Sequence, residues 1–264
     1  MTYLEALILG IIQGLTEFLP VSSSGHLEIG SYILGAQSSD NLLFSIVVHG
    51  ATALSTIVIF RKDILEIITE LLKFEWNESA QFTAKIILSI VPVGVIGVLF
   101  EEQIEAFFGG KILLVGSMLL VTALLLTFTF FRKNHDGDIS YWKALIIGFA
   151  QAIAIMPGIS RSGATISTAL ILGVDKSKAT KFSFLMVLVP ILGAMVLKIK
   201  DVVENPQLGS EISLLTIVVG FLAAFVSGLV ACRWMITIVR RGKLIYFAIY
   251  CFIIGSIAIV AGLF

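Results

Sequence analysis

The sequence predicts an all-α, polytopic integral membrane protein with six transmembrane helices plus two re-entrant helix hairpins in an inverted-topology repeat. Three observations carry that prediction. The 264-residue chain is 58% hydrophobic and only 14% charged, with a mean hydropathy of +1.02. A soluble domain carries about 25% charged residues and has no core large enough to hide this much apolar surface, so lipid is the solvent. Second, two stretches interrupt apolar runs with the same small and polar residues: GIIQGLTEFLPVSSSGH (Gly10 to His26) and GFAQAIAIMPGISRSGA (Gly148 to Ala164). Third, the basic residues fall almost entirely on one side of the threaded chain.

Aligned without gaps, Gly10 meets Gly148, Gln13 meets Gln151, Ser22 meets Ser160, Ser24 meets Ser162 and Gly25 meets Gly163. The same offset places Ile33-Leu34-Gly35 on Ile171-Leu172-Gly173 and Phe44-Ser45 on Phe182-Ser183. About a quarter of positions from Gly10 to Phe60 are identical to their mates, Gln and Ser among them. Paired, Gly/Pro-interrupted apolar segments of this kind point to a ligand site in membrane proteins built from repeats.

The first element, Thr2–Gly35, holds two short apolar limbs around a Pro-Ser-Gly turn. It is too long for one span and too broken for two. Irregular backbone at membrane depth survives only where protein or a watery cavity satisfies it, so the segment reads as a re-entrant hairpin. Glu5 stands where a signal peptide needs basic residues, and no cleavable signal is expected. Leu42–Phe60 is the first span. Asp63–Glu75 alternates apolar and charged residues at helical spacing and reads as an amphipathic interfacial helix. Phe82–Phe100 and Lys111–Phe131 are the next spans, and Lys143–Gly173 is the second hairpin. Phe182–Ile199, Ile212–Ala231 and Leu244–Phe264 complete the set, each long enough to cross a hydrocarbon core of about 30 Å. Gly94, Gly97, Gly116, Gly193, Gly220, Gly228 and Gly255 are read as points of close helix approach. Trp76, Trp142 and Trp234 fall near membrane boundaries, where indole rings sit.

Threading these spans puts 14 of the 18 basic residues on one side, from Arg61 and Lys62 to Arg240, Arg241 and Lys243. Only Lys111, Lys198 and Lys200 fall on the other, and Arg161 lies in the second hairpin turn. The positive-inside rule makes the basic side cytoplasmic and puts both termini outside. Three spans separate the hairpins, so the second enters from the opposite face to the first. The chain is then a single membrane domain, 1–264, with repeats of about 1–135 and 140–264 whose hairpin tips meet near mid-membrane.

Ionisable residues at membrane depth are costly and mark function by default. In the hairpins these are Glu17, His26 and Arg161. Brought together, they sit among Ser22, Ser23, Ser24, Ser160, Ser162 and Thr165. Arginine suits bidentate phosphate binding, and the amides of Gly25 and of the Gly158–Gly163 turn, at the starts of the return helices, form an anion nest. Gln13 and Glu17, four apart on one helix face, offer an amide oxygen and a carboxylate to a hard cation such as Mg²⁺. Ser23 and His26 provide a nucleophile and a base, or His26 itself attacks phosphorus, or water attacks directly; the spacing leaves these three open. Together these are the parts of phosphoryl transfer. The competing reading makes the Glu–Arg pair purely structural, and His49 reads as a hydrogen-bonded packing residue. Cys232 and Cys251 have no metal or redox spacing and read as small apolar residues.

Absences narrow the chemistry. The chain has no GxxxxGK[ST] loop, no HExxH and no GxSxG elbow. A formal net charge of zero argues against nucleic acid as a partner.

QGLTEFLPVSSSGH and PGISRSGAT closely resemble the two signature regions of the undecaprenyl-diphosphate phosphatases, the bacitracin-resistance proteins of bacteria. That family's (E/Q)xxxE motif fits Gln13 and Glu17, with Gln13 where many members carry a second Glu. Its PGxSRSxxT motif fits Pro157 to Thr165 without a mismatch. The resemblance extends to the whole chain in size and span number. It implies hydrolysis of undecaprenyl diphosphate to the monophosphate and phosphate in the bacterial plasma (inner) membrane, recycling the lipid carrier of cell-wall synthesis and conferring bacitracin resistance. It implies a catalytic set of Glu17, Ser23, His26, Ser160, Arg161 and Thr165, and a requirement for Mg²⁺ or Ca²⁺. The expected partners are a polyprenyl diphosphate and membrane lipid, with a homodimer as one oligomeric form. The SSSGH run is also similar to the PSGH element of phosphatidic-acid-type phosphatases, but the KxxxxxxRP and SRxxxxxH elements of that family are missing. The alternative from another class is an inverted-repeat transporter or lipid flippase.

Overall fold

Short polar side chains decide where most helices begin. In the computed structural model, which describes residues 1–35, 42–107, 111–131, 136–204 and 212–263, the described residues form helices α1 (Tyr3–Phe18), α2 (Ser23–Leu34), α3 (Leu42–Ile59), α4 (Arg61–Leu71), α5 (Glu78–Leu99), α6 (Glu101–Glu105), α7 (Ile112–Phe130), α8 (Tyr141–Ile153), α9 (Arg161–Ile171), α10 (Lys176–Glu204), α11 (Leu214–Arg240) and α12 (Ile245–Ala261). Thr2 and Glu5 close a capping box on α1, with the Glu5 carboxylate accepting from the Thr2 N–H at 2.9 Å. Asn77, Ser140 and Ser213 cap α5, α8 and α11, and Asp175 Oδ1 accepts the Ser177 and Lys178 amides at the start of α10.

Among the described residues four helices, α5, α7, α10 and α11, are long and apolar enough to cross a membrane, and the pair α3–α4, bent by 74°, makes a fifth candidate. The chain is a multi-pass, all-helical membrane protein. Helix ends depart most from the expected spans where charged turns flank them. α10 begins six residues before Phe182, and α11 runs nine residues past Ala231. The apolar run ends at the membrane surface, whereas a helix ends where its backbone is capped or turned. The stem of a lysine or arginine lies along apolar surface while its charge reaches water, so charged turns extend a helix without breaking it. The stop after α11 is Gly242, at φ 67°. α4 has no buried residue, as an interfacial helix requires, and α6 is a short turn of helix the sequence pattern did not announce. Arg132, Lys133 and Phe264 lie outside the described residues.

The helices interlock through glycines at particular points. A Cβ on Gly116 would lie 2.8 Å from the Gly255 carbonyl oxygen, and one on Gly255 would lie 2.8 Å from that of Gly116, so α7 and α12 touch backbone to backbone. Gly220 leaves room for the Phe44 ring and Gly228 for Ser55 and Phe18. Gly94, Gly97 and Gly193 depart from expectation: nothing lies within 4 Å of the position a Cβ would take. Gly255→Ala should therefore lower stability by about 1–3 kcal/mol through overpacking. Gly94→Ala should leave the melting temperature unchanged or raised. Thermal unfolding of the two variants in one detergent checks the contrast.

Ion pairs gather several loops on one face. Lys181 pairs with Asp63 at 2.5 Å, Lys178 pairs with Asp138, and the Lys176 ammonium lies over Gly242. The starts of α10 and α4, the segment before α8 and the α11–α12 turn thus share one end of the bundle. Asp138 is held below the ordinary carboxylate range, chiefly by its hydrogen bond from Lys178.

Candidate active site

Both hairpin tips come to rest against the middle of a long helix. α1 lies along α11 in parallel, with Gly10 against Gly220, Gly14 against Ala224 and Phe18 against Gly228, so its last turn stops halfway along α11. The second tip is pinned to the middle of α7. Thr122 donates to the Gly158 carbonyl at 3.0 Å and accepts the Ser160 amide at 3.0 Å. Gly158 has a φ of 97°, and a Cβ there would lie 2.5 Å from the Val115 carbonyl oxygen, so only glycine fits.

The tips are joined to each other by single atoms. Ser22 Oγ accepts the Gly25 amide of its own hairpin at 3.2 Å and the Gly158 amide of the other at 3.2 Å. Ser22 itself sits at φ 71°, a conformation L-residues rarely adopt and one that surrounding structure must hold in place. Ser162 Oγ donates to the Leu19 carbonyl at 3.3 Å, returning the link from the second tip to the first.

Glu17 is the hub. Its Oε1 accepts from Arg161 Nη2 at 2.9 Å, and its Oε2 accepts from Ser23 Oγ at 2.6 Å and from Gln13 Nε2 at 3.0 Å. The carboxylate side chain is 6% exposed, against 27% for Arg161. Burial makes such a pair costly to separate, and the arginine's greater exposure leaves guanidinium N–H groups to meet a ligand. Ser23 and Arg161 are the first residues of α2 and α9, so the N-termini of both return helices bring their positive ends to the same place.

Two expectations for the site need correction. Ser23 is not hydrogen-bonded to His26. One helical turn places His26 Nδ1 at 2.9 Å from the Ser22 carbonyl oxygen, and His26 Nε2 meets the Tyr250 hydroxyl at 2.9 Å. The imidazole also stacks on the Tyr250 ring, with centroids 5.5 Å apart. Ser23 turns instead to Glu17. Nor are the glycine amides free donors: Gly25 and Gly158 give theirs to Ser22 Oγ, and Gly163 gives its own to Ser160 Oγ. Those amides build the tips. Ser24 lies 3.4 Å from Ser22, Ser160 lies 3.3 Å from Ser162, and Thr165 donates back to the Arg161 carbonyl at 2.9 Å. His49 Nδ1 donates to the Ser45 carbonyl of its own helix at 2.8 Å, and the ring lies close enough to Glu17 to interact electrostatically.

A family model described as bacitracin resistance protein BacA matches residues 6–257. The chain belongs to this family. Relatives of the BacA-family chain span its whole length. It is 56% identical to an undecaprenyl-diphosphatase of Christiangramia forsetii over 262 residues, covering 98% of each chain. It is 52% identical to one of Bacteroides fragilis over 261 residues, again 98% of each, and 42% identical to one of Salinibacter ruber over 271 residues, 98% of this chain and 99% of the relative.

Two participants in this BacA-family site escaped the sequence reading. Tyr250 and Thr122 lie inside apolar helices, without motif or spacing to mark them. Glu28, on α2, is a further buried carboxylate that the sequence reading did not single out, 8% exposed. For a metal, the donor set is small. Among the described residues no three His, Cys, Asp or Glu side chains cluster in a way that could hold an ion. Glu17 is the carboxylate beside Arg161, and Gln13 Oε1 next to it is buried without a protein hydrogen-bond partner. One carboxylate and one amide oxygen fit a hard cation that takes its remaining ligands from phosphate and water.

Proposed function

We propose that the chain hydrolyses undecaprenyl diphosphate to undecaprenyl phosphate and inorganic phosphate, returning the cell-wall lipid carrier to use and conferring bacitracin resistance. The observation that carries the chemistry is the Glu17 carboxylate bound at once by Arg161 and Ser23, at 2.9 and 2.6 Å, between two helix N-termini. Arg161 grips oxygens of the diphosphate and neutralises its charge. Glu17 takes the Ser23 proton as Ser23 Oγ bonds to the terminal phosphorus. The bridging P–O bond breaks and undecaprenyl phosphate leaves. Water then cleaves the phosphoserine and restores both groups. His26, held by Tyr250 and the Ser22 carbonyl, braces the first tip and takes no part in the Ser23 proton transfer. Glu17 and Gln13 would hold the Mg²⁺ or Ca²⁺ that the family resemblance implies, which when bound adds positive charge against the diphosphate. Purified protein should release one phosphate per undecaprenyl diphosphate, lost in Glu17→Gln. Passage of the lipid across vesicles without phosphate release would favour a flippase and overturn the reading.

The proposed membrane arrangement has six spans, α3, α5, α7, α10, α11 and α12, and two re-entrant hairpins, α1–α2 and α8–α9. α12 is 17 residues long, and its antiparallel packing on α7, with Gly262 against Leu113 and Gly255 against Leu120, supports a common depth. The tips at the middles of α11 and α7 support re-entrance. Repeats of about 1–135 and 140–264 account for α1 against α11 mirroring α8 against α5, and for α3 with α10 and α7 with α12 crossing at the pseudo-axis. The basic end of the bundle then faces the cytoplasm of the inner membrane, and the termini and site opening face outward. Cysteine at Thr2 should label with an impermeant reagent from outside, and cysteine at Asp138 only from inside. Cys232 and Cys251 are buried, so the native thiols give little background. The reverse pattern would overturn the orientation.

A further inference from the structure

A cavity of about 20 Å³ lies behind the Glu17–Arg161 pair, between the two hairpins and the crossing of α3 and α10. That is room for about one water-sized occupant. Its polar wall is Glu17, Arg161 and the hydroxyls of Thr52, Thr56, Ser162, Thr165 and Ser183, and the Phe18 and Phe184 rings help close it. The hydroxyls are not equivalent. Thr52 donates to the His49 carbonyl at 2.9 Å, Thr56 to the Thr52 carbonyl at 3.2 Å, Ser162 to the Leu19 carbonyl at 3.3 Å and Thr165 to the Arg161 carbonyl at 2.9 Å, so these four can only accept. Ser183 is 2% exposed, and its Oγ has no protein hydrogen-bond partner. A buried hydroxyl left unpaired costs about 1–3 kcal/mol, which selects for an occupant that satisfies it. Glu17 Oε1, bonded only to Arg161, retains one acceptor site, since a carboxylate oxygen takes two. A single water meets both demands, accepting from Ser183 and donating to Glu17.

We propose that Ser183 is the positioning residue for the hydrolytic water. This rests on the phosphatase reading above and deepens it. In the second half of the reaction the water oxygen bonds to phosphorus as the P–O bond to Ser23 breaks. The proton that Glu17 kept from the first half passes to Ser23 Oγ, the water proton takes its place on Glu17 and is lost to solvent as inorganic phosphate departs, which restores the carboxylate. Arg161 holds the phosphoryl group meanwhile.

The test measures turnover of undecaprenyl diphosphate by the full-length protein in water and in dilute methanol, quantifying phosphate and methyl phosphate. Ser183→Ala removes an unpaired hydroxyl and should melt no lower than the wild type. Its kcat should fall about ten- to a hundredfold with KM unchanged, because a displaced reactant loses that order of rate. The fraction of product trapped as methyl phosphate should rise several-fold, since the water has lost its holder and the cavity has gained space. Ser183→Thr keeps the hydroxyl but puts a methyl in a space for one water, and should lose kcat without gaining methyl phosphate. Unchanged rate and product ratio in the alanine variant would overturn the proposal, as would a raised KM at unchanged kcat, which would make Ser183 a phosphate ligand. Failure of the phosphatase reading is separate: there the wild type releases no phosphate in water alone.

Discussion

Replacing Arg161 with lysine is expected to lower kcat about 10²- to 10³-fold while leaving the protein folded. The charge is retained, so the ion pair to Glu17 survives in some form and the melting temperature should move by only a few degrees. What is lost is shape. The guanidinium spends one nitrogen on Glu17 Oε1 at 2.9 Å and keeps its remaining N–H groups in a planar fork suited to two phosphate oxygens. An ammonium on a flexible stem is a single point charge, and the carboxylate beside it competes for that charge. Measuring kcat and melting temperature together separates the outcomes. Near-full turnover in the lysine variant would make Arg161 a structural counter-ion and remove the phosphate clamp from the mechanism.

The second large effect concerns Glu17 and Ser23. Each of Ser23→Ala and Glu17→Gln should cost about 10²–10⁴-fold in turnover, the usual worth of a positioned base with its nucleophile. The double variant should be little worse than either, because groups that act as one unit are non-additive. His26→Ala should behave differently. Its ring nitrogens bind the Ser22 carbonyl and Tyr250, not Ser23, so its loss should add to that of Ser23→Ala rather than merge with it. Rapid quenching should trap phosphate on Ser23 in the wild type. Additive losses for Ser23 with Glu17, and no trapped adduct, would exclude the pair as nucleophile and base.

The sequence made the hairpins legible because the physics that makes them expensive also makes them visible. A carboxylate, an arginine and a run of serines inside apolar segments stand out against lipid, and the offset from Gly10 to Gly148 tied them together before any contact was known. Geometry within a helix turn was less accessible. Ser23 and His26 are three residues apart, which suggested a pair, yet the turn of α2 gave His26 to the Ser22 carbonyl and left Ser23 to Glu17. The glycines show the same limit. Gly255 and Gly94 read alike in an apolar run, and only the facing of their helices decides that one meets backbone and the other nothing. Tyr250 and Thr122 were silent for a related reason: a hydroxyl on an apolar helix carries no periodic signal, and its role depends on what the neighbouring helix presents.

Ser22 Oγ, which accepts from both Gly25 and Gly158, also sets an order of events in biogenesis. At roughly 5–20 residues per second, synthesis separates those two glycines by on the order of ten seconds. Throughout that interval the first hairpin is in the making without its keystone, and Glu17 has no guanidinium beside it. The newborn chain must therefore shelter a carboxylate and a strained serine turn in water or in the insertion machinery until the second hairpin arrives. A ribosome that stalls between the hairpins leaves a half-protein whose Glu17 has Ser23 and Gln13 of its own hairpin to bind it but no counter-charge.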